Sequence, residues 1–223
     1  MPFSVRTRAG RVILVAAALW LGPTAAYADT IDHVSVGDHI RFADGPGTTG
    51  GGEFTLTDME TLDTFISFCL QKTEYLDFST LFTVGGITRY ATSEDPVTGG
   101  NGSGRDYLSR QTQYLYTEFR NGTLPGYNGT NSAANNLQRA LWWFEGEDVN
   151  PGNAYVTLAN NAVANGYRGN SRVRVLNIYY PNRTDAQDQL TLVPEPGAIA
   201  MLGVGLSVAA WRLRRHGKRK TDV

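Results

Sequence analysis

Apolar and polar residues alternate through the first half of the chain in a way that predicts β-strands. Such alternation places successive side chains on opposite faces of a sheet. The predicted strands span residues 34–42, 53–57, 64–70 and 81–90, and loops rich in glycine span 43–52 and 92–106. This half of the chain is therefore expected to form most of a sheet.

The second half of the chain changes to helical spacing, with apolar residues recurring every three or four positions. The three predicted helices begin near Leu108, Ser132 and Tyr155 and end before Gly122, Gly146 and Gly166. Serine is a favoured N-cap, and glycine readily adopts the left-handed conformation that ends a helix. A closing strand is predicted at 173–180, before Pro181. The pattern predicts an α+β fold, a β-sandwich or barrel-like sheet with a helical insertion.

The N-terminus has the organisation of a secretory signal peptide. Arg6, Arg8 and Arg11 precede an apolar run at 12–21, and Ala26-Tyr27-Ala28 provides the small residues of a cleavage site. This order predicts that residues 1–28 are removed after export by Sec-type machinery.

The C-terminus combines a rigid tripeptide, an apolar run and a basic cluster. Pro194-Glu195-Pro196 is followed by the apolar segment 197–211 and then by six basic residues between 212 and 220. A helix over 197–211 would be about 22 Å long, which is shorter than the hydrocarbon core of about 30 Å. The basic cluster would stay on the cytoplasmic side. Either a temporary anchor beside a cleavage site or a permanent short anchor fits these residues.

This tripartite tail resembles the PEP-CTERM sorting signal of Gram-negative bacteria, which membrane proteases called exosortases recognise. The resemblance covers about the last thirty residues. It implies export, processing near 194–196 with transient anchoring in the inner membrane, and delivery to the envelope surface or extracellular matrix. The chain then divides into a signal peptide at 1–28, an extracellular domain at 29–190 and a sorting signal at 191–223.

Removing both ends reveals an acidic body. The whole chain has 20 basic and 21 acidic residues, whereas the segment 29–196 has 11 basic and 20 acidic residues. Nucleic-acid binding requires a basic surface, so we do not expect a nucleic-acid partner. Lys72 is the only lysine in this segment.

Cys69 is the only cysteine of the chain, so it cannot form an internal disulfide. A lone cysteine in an exported protein is a buried inert thiol, an intermolecular partner or a reactive group. The apolar residues around it, among them Phe65, Ile66 and Leu70, favour a place in the core.

A second segment adds a candidate partner for this cysteine. Gln138 enters an apolar helix face, in the sequence Leu137-Gln138-Arg139-Ala140-Leu141-Trp142. Together with Phe68-Cys69, this segment resembles the thioester domains of bacterial surface adhesins. The resemblance implies that the Cys69 sulfur and the Gln138 side chain condense with loss of ammonia. Phe68, Leu137, Ala140, Leu141 and Trp142 would surround the bond. Gln71 departs from the family pattern, which commonly has an acidic residue there.

Three functions remain open at this stage. The first is a non-enzymatic surface or matrix protein that attaches to a protein amine or a polysaccharide hydroxyl through the thioester. The second is a carbohydrate-binding or structural matrix module, with Trp143, Tyr114 and Tyr116 exposed for stacking on sugars. A hydrolase that uses Glu145 and Glu147 ranks last, because residues two apart on a helix do not face each other.

The remaining motifs favour neither a cofactor nor a metal. The segment 45–50 fits the spacing of a dinucleotide-binding loop, but a strand is predicted after it where that motif requires a helix. His33 and His39 have no zinc-motif spacing. The acidic loops at 94–95 and 145–148 do not match the spacing of a calcium-binding loop.

Overall fold

The fold is described from a computed structural model, which describes residues 31–48, 51–92 and 104–194. The predicted signal peptide, Glu195, Pro196 and the predicted sorting helix at 197–211 lie outside these residues. Across the three described ranges, every helix is too short or too polar to cross a membrane.

The described residues form an α+β fold, as the hydrophobic pattern predicts. The strands are β1 (His39–Gly47), β2 (Gly52–Asp58), β3 (Thr64–Ser67), β4 (Phe82–Thr88), β5 (Tyr90–Thr92), β6 (Arg105–Tyr107), β7 (Val173–Tyr179) and β8 (Asp185–Leu192). The helices are α1 (Arg110–Arg120), α2 (Asn131–Phe144) and α3 (Ala154–Ala164). All three helices lie between β6 and β7, so the helical insertion is confirmed.

Six strands form one antiparallel sheet in the order β3-β2-β1-β4-β7-β8, and β5 pairs with β6 separately. The two outer strands of the large sheet approach each other just after β3. There the Leu70 amide donates to the Asp188 carbonyl at 3.0 Å, and the Leu190 amide donates to the Phe68 carbonyl at 3.0 Å. Cys69 forms an isolated antiparallel bridge with Gln189 between them. These contacts close the sheet in a barrel-like manner at Cys69.

The helix ends follow their capping residues. Gly122, Gly146 and Gly166 have positive φ angles directly after the helices, which confirms the predicted ends. The predicted Ser132 cap of α2 is wrong, because the Thr130 side chain accepts the hydrogen bond from the Ala133 amide. The helix therefore begins a residue before Ser132.

Two apolar clusters fill the interior. One lies between the helices and the sheet and includes Phe68, Leu137 and Leu141. The other lies on the opposite side of the segment that carries Phe68 and Cys69, and it includes Cys69 and Trp142. Adjacent residues on an extended chain face opposite ways, so Phe68 and Cys69 enter different clusters.

Several strand predictions require correction. The strand predicted at 34–42 begins only at His39, and the one predicted at 64–70 ends at Ser67. The one predicted at 81–90 is divided into β4 and β5 after Thr88. The loop predicted at 43–52 is shorter, because β1 extends to Gly47 and β2 starts at Gly52. The short strand β6 lies at the end of a segment that was expected to be a loop. β8 was not predicted, because the buried residues Gln187, Asp188, Gln189 and Thr191 hide its strand pattern.

Candidate functional site

The structure brings the two predicted thioester residues into direct contact. The Cys69 thiol donates to Gln138 Oε1, with a sulfur–oxygen distance of 3.4 Å. Gln138 Nε2 donates to the Cys69 carbonyl at 2.8 Å. Cys69 lies where the sheet closes and Gln138 lies in the middle of α2, so the fold joins residues from its two halves.

Both side chains are removed from solvent. Cys69 has no exposed surface, and Gln138 is 1% exposed. Burial raises the pKa of the Cys69 thiol, and the nearby Trp142 indole opposes this rise only in part. The neutral thiol is therefore strongly favoured over the thiolate, which separates this cysteine from exposed, low-pKa nucleophiles.

The predicted surroundings of the pair are also buried, and they come from both apolar clusters. Phe68, Leu137, Ala140 and Leu141 pack on the helix side. Trp142 packs on the sheet side together with Cys69. The pair is thus enclosed by apolar side chains on two sides, a low-dielectric environment in which a buried amide needs its hydrogen bonds.

Gly51 packs closely against Gln138 and Trp142 and was not identified from sequence. A Cβ atom at this position would lie 2.6 Å from Gln138 Cγ and 2.5 Å from Trp142 Cη2. Only a residue without a side chain allows the backbone to approach so closely. A glycine in a glycine-rich loop gives no signal of this contact.

Asparagines of α2 hold the same β1–β2 hairpin in place. The Asn131 side chain accepts from the Gly47 amide at 3.0 Å. One turn further along the helix, Asn135 accepts from the Thr48 amide at 2.9 Å and donates to the Thr48 hydroxyl at 2.8 Å. Gly47 and Thr48 are therefore held against the first two turns of α2.

A polar cleft of about 690 Å³ opens beside Gln138. Its lining residues are Thr48, Gly51, Lys72, Ser132, Asn135, Asn136, Gln138, Arg139, Trp142 and Asp148. Lys72 Nζ lies 2.8 Å from Asp148 Oδ1 and 5.9 Å from the centre of a Trp142 ring. A group that enters the cleft thus reaches the rim of the Cys69–Gln138 site.

Gln71, which departs from the thioester-domain pattern, is a buried connector of strands. Its side chain donates to the Thr92 carbonyl at 2.8 Å and accepts from the Asp188 amide at 2.7 Å. The buried Asp188 carboxylate in turn accepts from the Thr92 amide and the Asn177 side chain. This network fixes β8 against the segment that carries Cys69.

The other residues singled out from the sequence have different environments. Glu145 is buried, and its Oε1 accepts from the Ser109 hydroxyl at 2.9 Å. His39 pairs with Glu60, and His33 lies 4.0 Å from Asp63. The expectation that Tyr116 is exposed is wrong. Its ring is fully buried, and its hydroxyl donates to the carbonyl groups of Ile66 in β3 and Leu190 in β8.

Comparison with known proteins concerns the end of the chain. Residues 192–215 match the PEP-CTERM protein-sorting motif. The chain carries a PEP-CTERM sorting signal. This signal indicates an exported protein with a cell-envelope or extracellular location, and it implies an exosortase as the processing partner. No curated protein and no solved structure matches the chain.

Proposed function

We propose that this PEP-CTERM protein attaches covalently to its target through an internal thioester between Cys69 and Gln138. The observation that carries the proposal is the contact between the two buried side chains, 3.4 Å from sulfur to amide oxygen. Gln138 is held in this position by its hydrogen bond to the Cys69 carbonyl. Two reacting groups fixed in contact gain a large effective molarity over the same groups free in water.

Thioester formation is a condensation within the core. The Cys69 sulfur attacks Gln138 Cδ, the bond from Cδ to Nε2 breaks, and the thiol proton leaves with the nitrogen as ammonia. The product is neutral. Because burial strongly disfavours the thiolate, hydrolysis that releases Cys69 as a thiolate is also disfavoured, and the bond persists while water is excluded.

Attachment then consumes the bond once, so the protein does not turn over as an enzyme. A target amine or hydroxyl enters from the polar cleft and bonds to Gln138 Cδ as the carbon–sulfur bond breaks. The proton of the nucleophile passes to sulfur and restores the thiol. The target would be a protein amine or a hydroxyl of a surface polysaccharide, joined by an amide or an ester.

Intact mass spectrometry of the purified protein tests this proposal. The thioester form is lighter than the mature sequence by one ammonia, and methylamine treatment adds methylamine at Gln138. Cys69→Ala and Gln138→Ala should each abolish both effects, whereas Gln111→Ala on α1 should leave them unchanged. A wild-type protein of full mass with a thiol that titrates after denaturation would refute the thioester.

Lys72 requires a separate control, because its amine lies in the same cleft. A bond between Lys72 and Gln138 would also release one ammonia. That bond would survive Cys69→Ala and resist methylamine, whereas the thioester would not. Lys72→Arg keeps the charge opposite Asp148 and should retain both the mass loss and the methylamine reaction.

The polar cleft also favours a second function, non-covalent carbohydrate binding in the matrix. Side-chain amides and hydroxyls from Thr48, Ser132, Asn135 and Asn136 line it, beside the Trp142 ring. Such groups match the hydroxyls and apolar faces of sugars. Binding to a glycan array that persists in Cys69→Ala would favour this function over covalent attachment.

Sorting completes the proposed route. Sec-type machinery exports the chain and residues 1–28 are then cleaved off. The segment 197–211 holds the protein transiently in the inner membrane until the exosortase cleaves near 194–196. The mature end determined by mass spectrometry tests the cleavage. A protein that keeps residues 197–223 in cells with an active exosortase would contradict it.

A further inference from the structure

Three carboxylates meet at the end of the β1–β2 hairpin furthest from Cys69 and Gln138. Asp38 precedes β1, Asp58 ends β2, and Glu60 lies in the loop that leads to β3. Oxygen atoms from all three lie within 4.8 Å of one another. In β1–β2 pairing, Asp58 is opposite Ile40, whereas Gly52 at the other end is opposite Gly47 beside the thioester site.

Asp58 has a buried carboxylate oxygen without a hydrogen-bond donor. The residue has no exposed surface. Its Oδ1 accepts from the Glu60 amide at 2.8 Å and from the Thr61 amide at 3.2 Å. Among the described residues, no donor reaches its Oδ2. A buried oxygen of this kind is costly unless a proton or a cation satisfies it.

A neighbouring carboxylate makes the arrangement less favourable. An oxygen of Asp38 lies within 4.8 Å of an oxygen of Asp58. Asp38 in turn accepts from the Ser35 amide at 2.6 Å. Two carboxylates in contact repel each other unless a positive charge lies between them.

Glu60 is already oriented toward this cluster by His39. The His39 amide donates to Glu60 Oε2 at 2.8 Å, and the His39 ring nitrogen Nδ1 lies 2.7 Å from Oε1. Hydrogen bonds of this kind fix the direction of a carboxylate, and each oxygen keeps a second lone pair that can bind a metal ion. They are the usual support of metal-ligating carboxylates.

We propose that Asp38, Asp58 and Glu60 bind one calcium ion. All three side chains offer oxygen, which suits calcium or magnesium and does not suit zinc or copper. Calcium accepts irregular geometry and a coordination completed by carbonyl groups and water, whereas magnesium requires a near-ideal octahedron. Three carboxylates from a turn, a strand end and a loop form an irregular set of ligands, which suits calcium better than magnesium.

Calcium bound here would tie the turn before β1 to the β2–β3 loop. A ligand at free concentration L that binds only the folded state stabilises it by RT ln(1 + L/Kd), so the stabilisation rises with the logarithm of the ligand concentration above the dissociation constant. Extracellular calcium modules have dissociation constants of about 0.1–1 mM. The PEP-CTERM signal indicates an exported protein, so a site of this affinity fits the compartment. The inference does not depend on the thioester.

The test is titration of the purified, chelator-treated protein with calcium chloride, followed by calorimetry and by thermal unfolding. We expect one ion per chain and a rise in melting temperature with calcium. Magnesium should bind at least about tenfold more weakly. Asp58→Asn and Asp38→Asn should each weaken calcium binding by more than about tenfold. Asp63→Asn, which changes an exposed carboxylate of the same loop, should bind calcium as the wild type does.

Asp38→Asn is the decisive variant if Asp58→Asn fails to fold, because Asp38 is only half-buried. A wild-type protein whose melting temperature is the same in calcium and in chelator would overturn the proposal. A rise in melting temperature with calcium that persists in both Asp38→Asn and Asp58→Asn would also overturn it.

Discussion

The Gly51 backbone lies directly against the Trp142 indole, so closely that an added Cβ would be 2.5 Å from Cη2. The same atom would be 2.6 Å from Gln138 Cγ. One hairpin residue thus contacts both the glutamine of the candidate bond and the aromatic ring beside it.

Gly51→Ala should therefore disturb the site. The new methyl group must displace Trp142 and Gln138, and overpacking of this kind costs about 1–3 kcal/mol. We expect a lower melting temperature and a smaller fraction of protein that has lost ammonia, as read by intact mass. Gly126→Ala is the control, because it strains a positive φ but meets no atom within 4 Å. If only Gly126→Ala lowered the ammonia loss, the role of Gly51 would be disproved.

Asn135→Ala should open the hairpin without preventing the bond from forming. It removes two hydrogen bonds to Thr48, and each contributes about 0.5–1.5 kcal/mol. The opened state should then be populated roughly five- to 140-fold more, since the two bonds together contribute about 1–3 kcal/mol and 1.4 kcal/mol is a factor of ten. Methylamine incorporation, followed over time by mass, should accelerate accordingly.

Asn160→Ala on α3 is the control for that experiment, because its side chain contacts Gln111 at a distance from the cleft. Unchanged methylamine kinetics in Asn135→Ala would show that the hairpin does not gate the site. Complete loss of the bond in this variant would instead assign Asn135 a role in forming it.

Asp32→Ala should be among the most destabilising single changes. Its carboxylate accepts hydrogen bonds from Arg120 Nη1 at 2.8 Å and from Arg120 Nη2 at 2.7 Å. It also accepts one from the Leu192 amide. Removing one member of a buried ion pair costs about 3–5 kcal/mol. Chemical denaturation measures this loss. Arg110→Met on the exposed start of α1 should change stability by less than about 0.5 kcal/mol, and an equal loss in both variants would contradict the prediction.

Local sequence signals predicted the helices well, because their apolar spacing and terminal glycines act within one turn. The Cys69–Gln138 contact was predicted from resemblance. Periodicity alone places Gln138 at the entry of an apolar face but does not identify the opposing residue. The three carboxylates of the proposed calcium site were not predicted, because Asp38 and Asp58 meet only after the β1–β2 hairpin forms.

The least predictable strand was β8, and its composition explains why. Its buried residues include Gln187, Asp188 and Gln189. Gln187 Nε2 donates to the Gln71 carbonyl and the Asp188 amide donates to Gln71 Oε1, so distant segments satisfy these polar groups. Periodicity scores such residues as exposed, since it contains no information about hydrogen-bond partners. The closure of the sheet at Cys69, which positions the thiol, could not be derived without this strand.

Loss of the proton from the buried Glu145 carboxyl group should make the protein less stable as the pH rises from 5 to 8. Burial raises the pKa of Glu145 from 4.5 to about 7, despite hydrogen bonds from Ser109. The folded state therefore holds a proton that the unfolded state releases near pH 4.5. The stabilisation is complete below that pH and is lost as the pH rises through about 7, by at most about 3 kcal/mol.

Thermal or denaturant unfolding at pH 5, 6, 7 and 8 measures this dependence. Glu145→Gln keeps the buried shape and a hydrogen-bonding oxygen for Ser109 but cannot ionise, so its stability should vary less over the same range. Asp44→Asn, at an exposed position on β1, should retain the wild-type slope. Carboxylates whose pKa is lowered, such as Asp77 and Asp148, lose their contribution below about pH 4 and do not affect this window. A Glu145→Gln profile parallel to that of the wild type would assign the slope to another buried acid, with Asp188 the first to test because burial raises its pKa to about 7 as well.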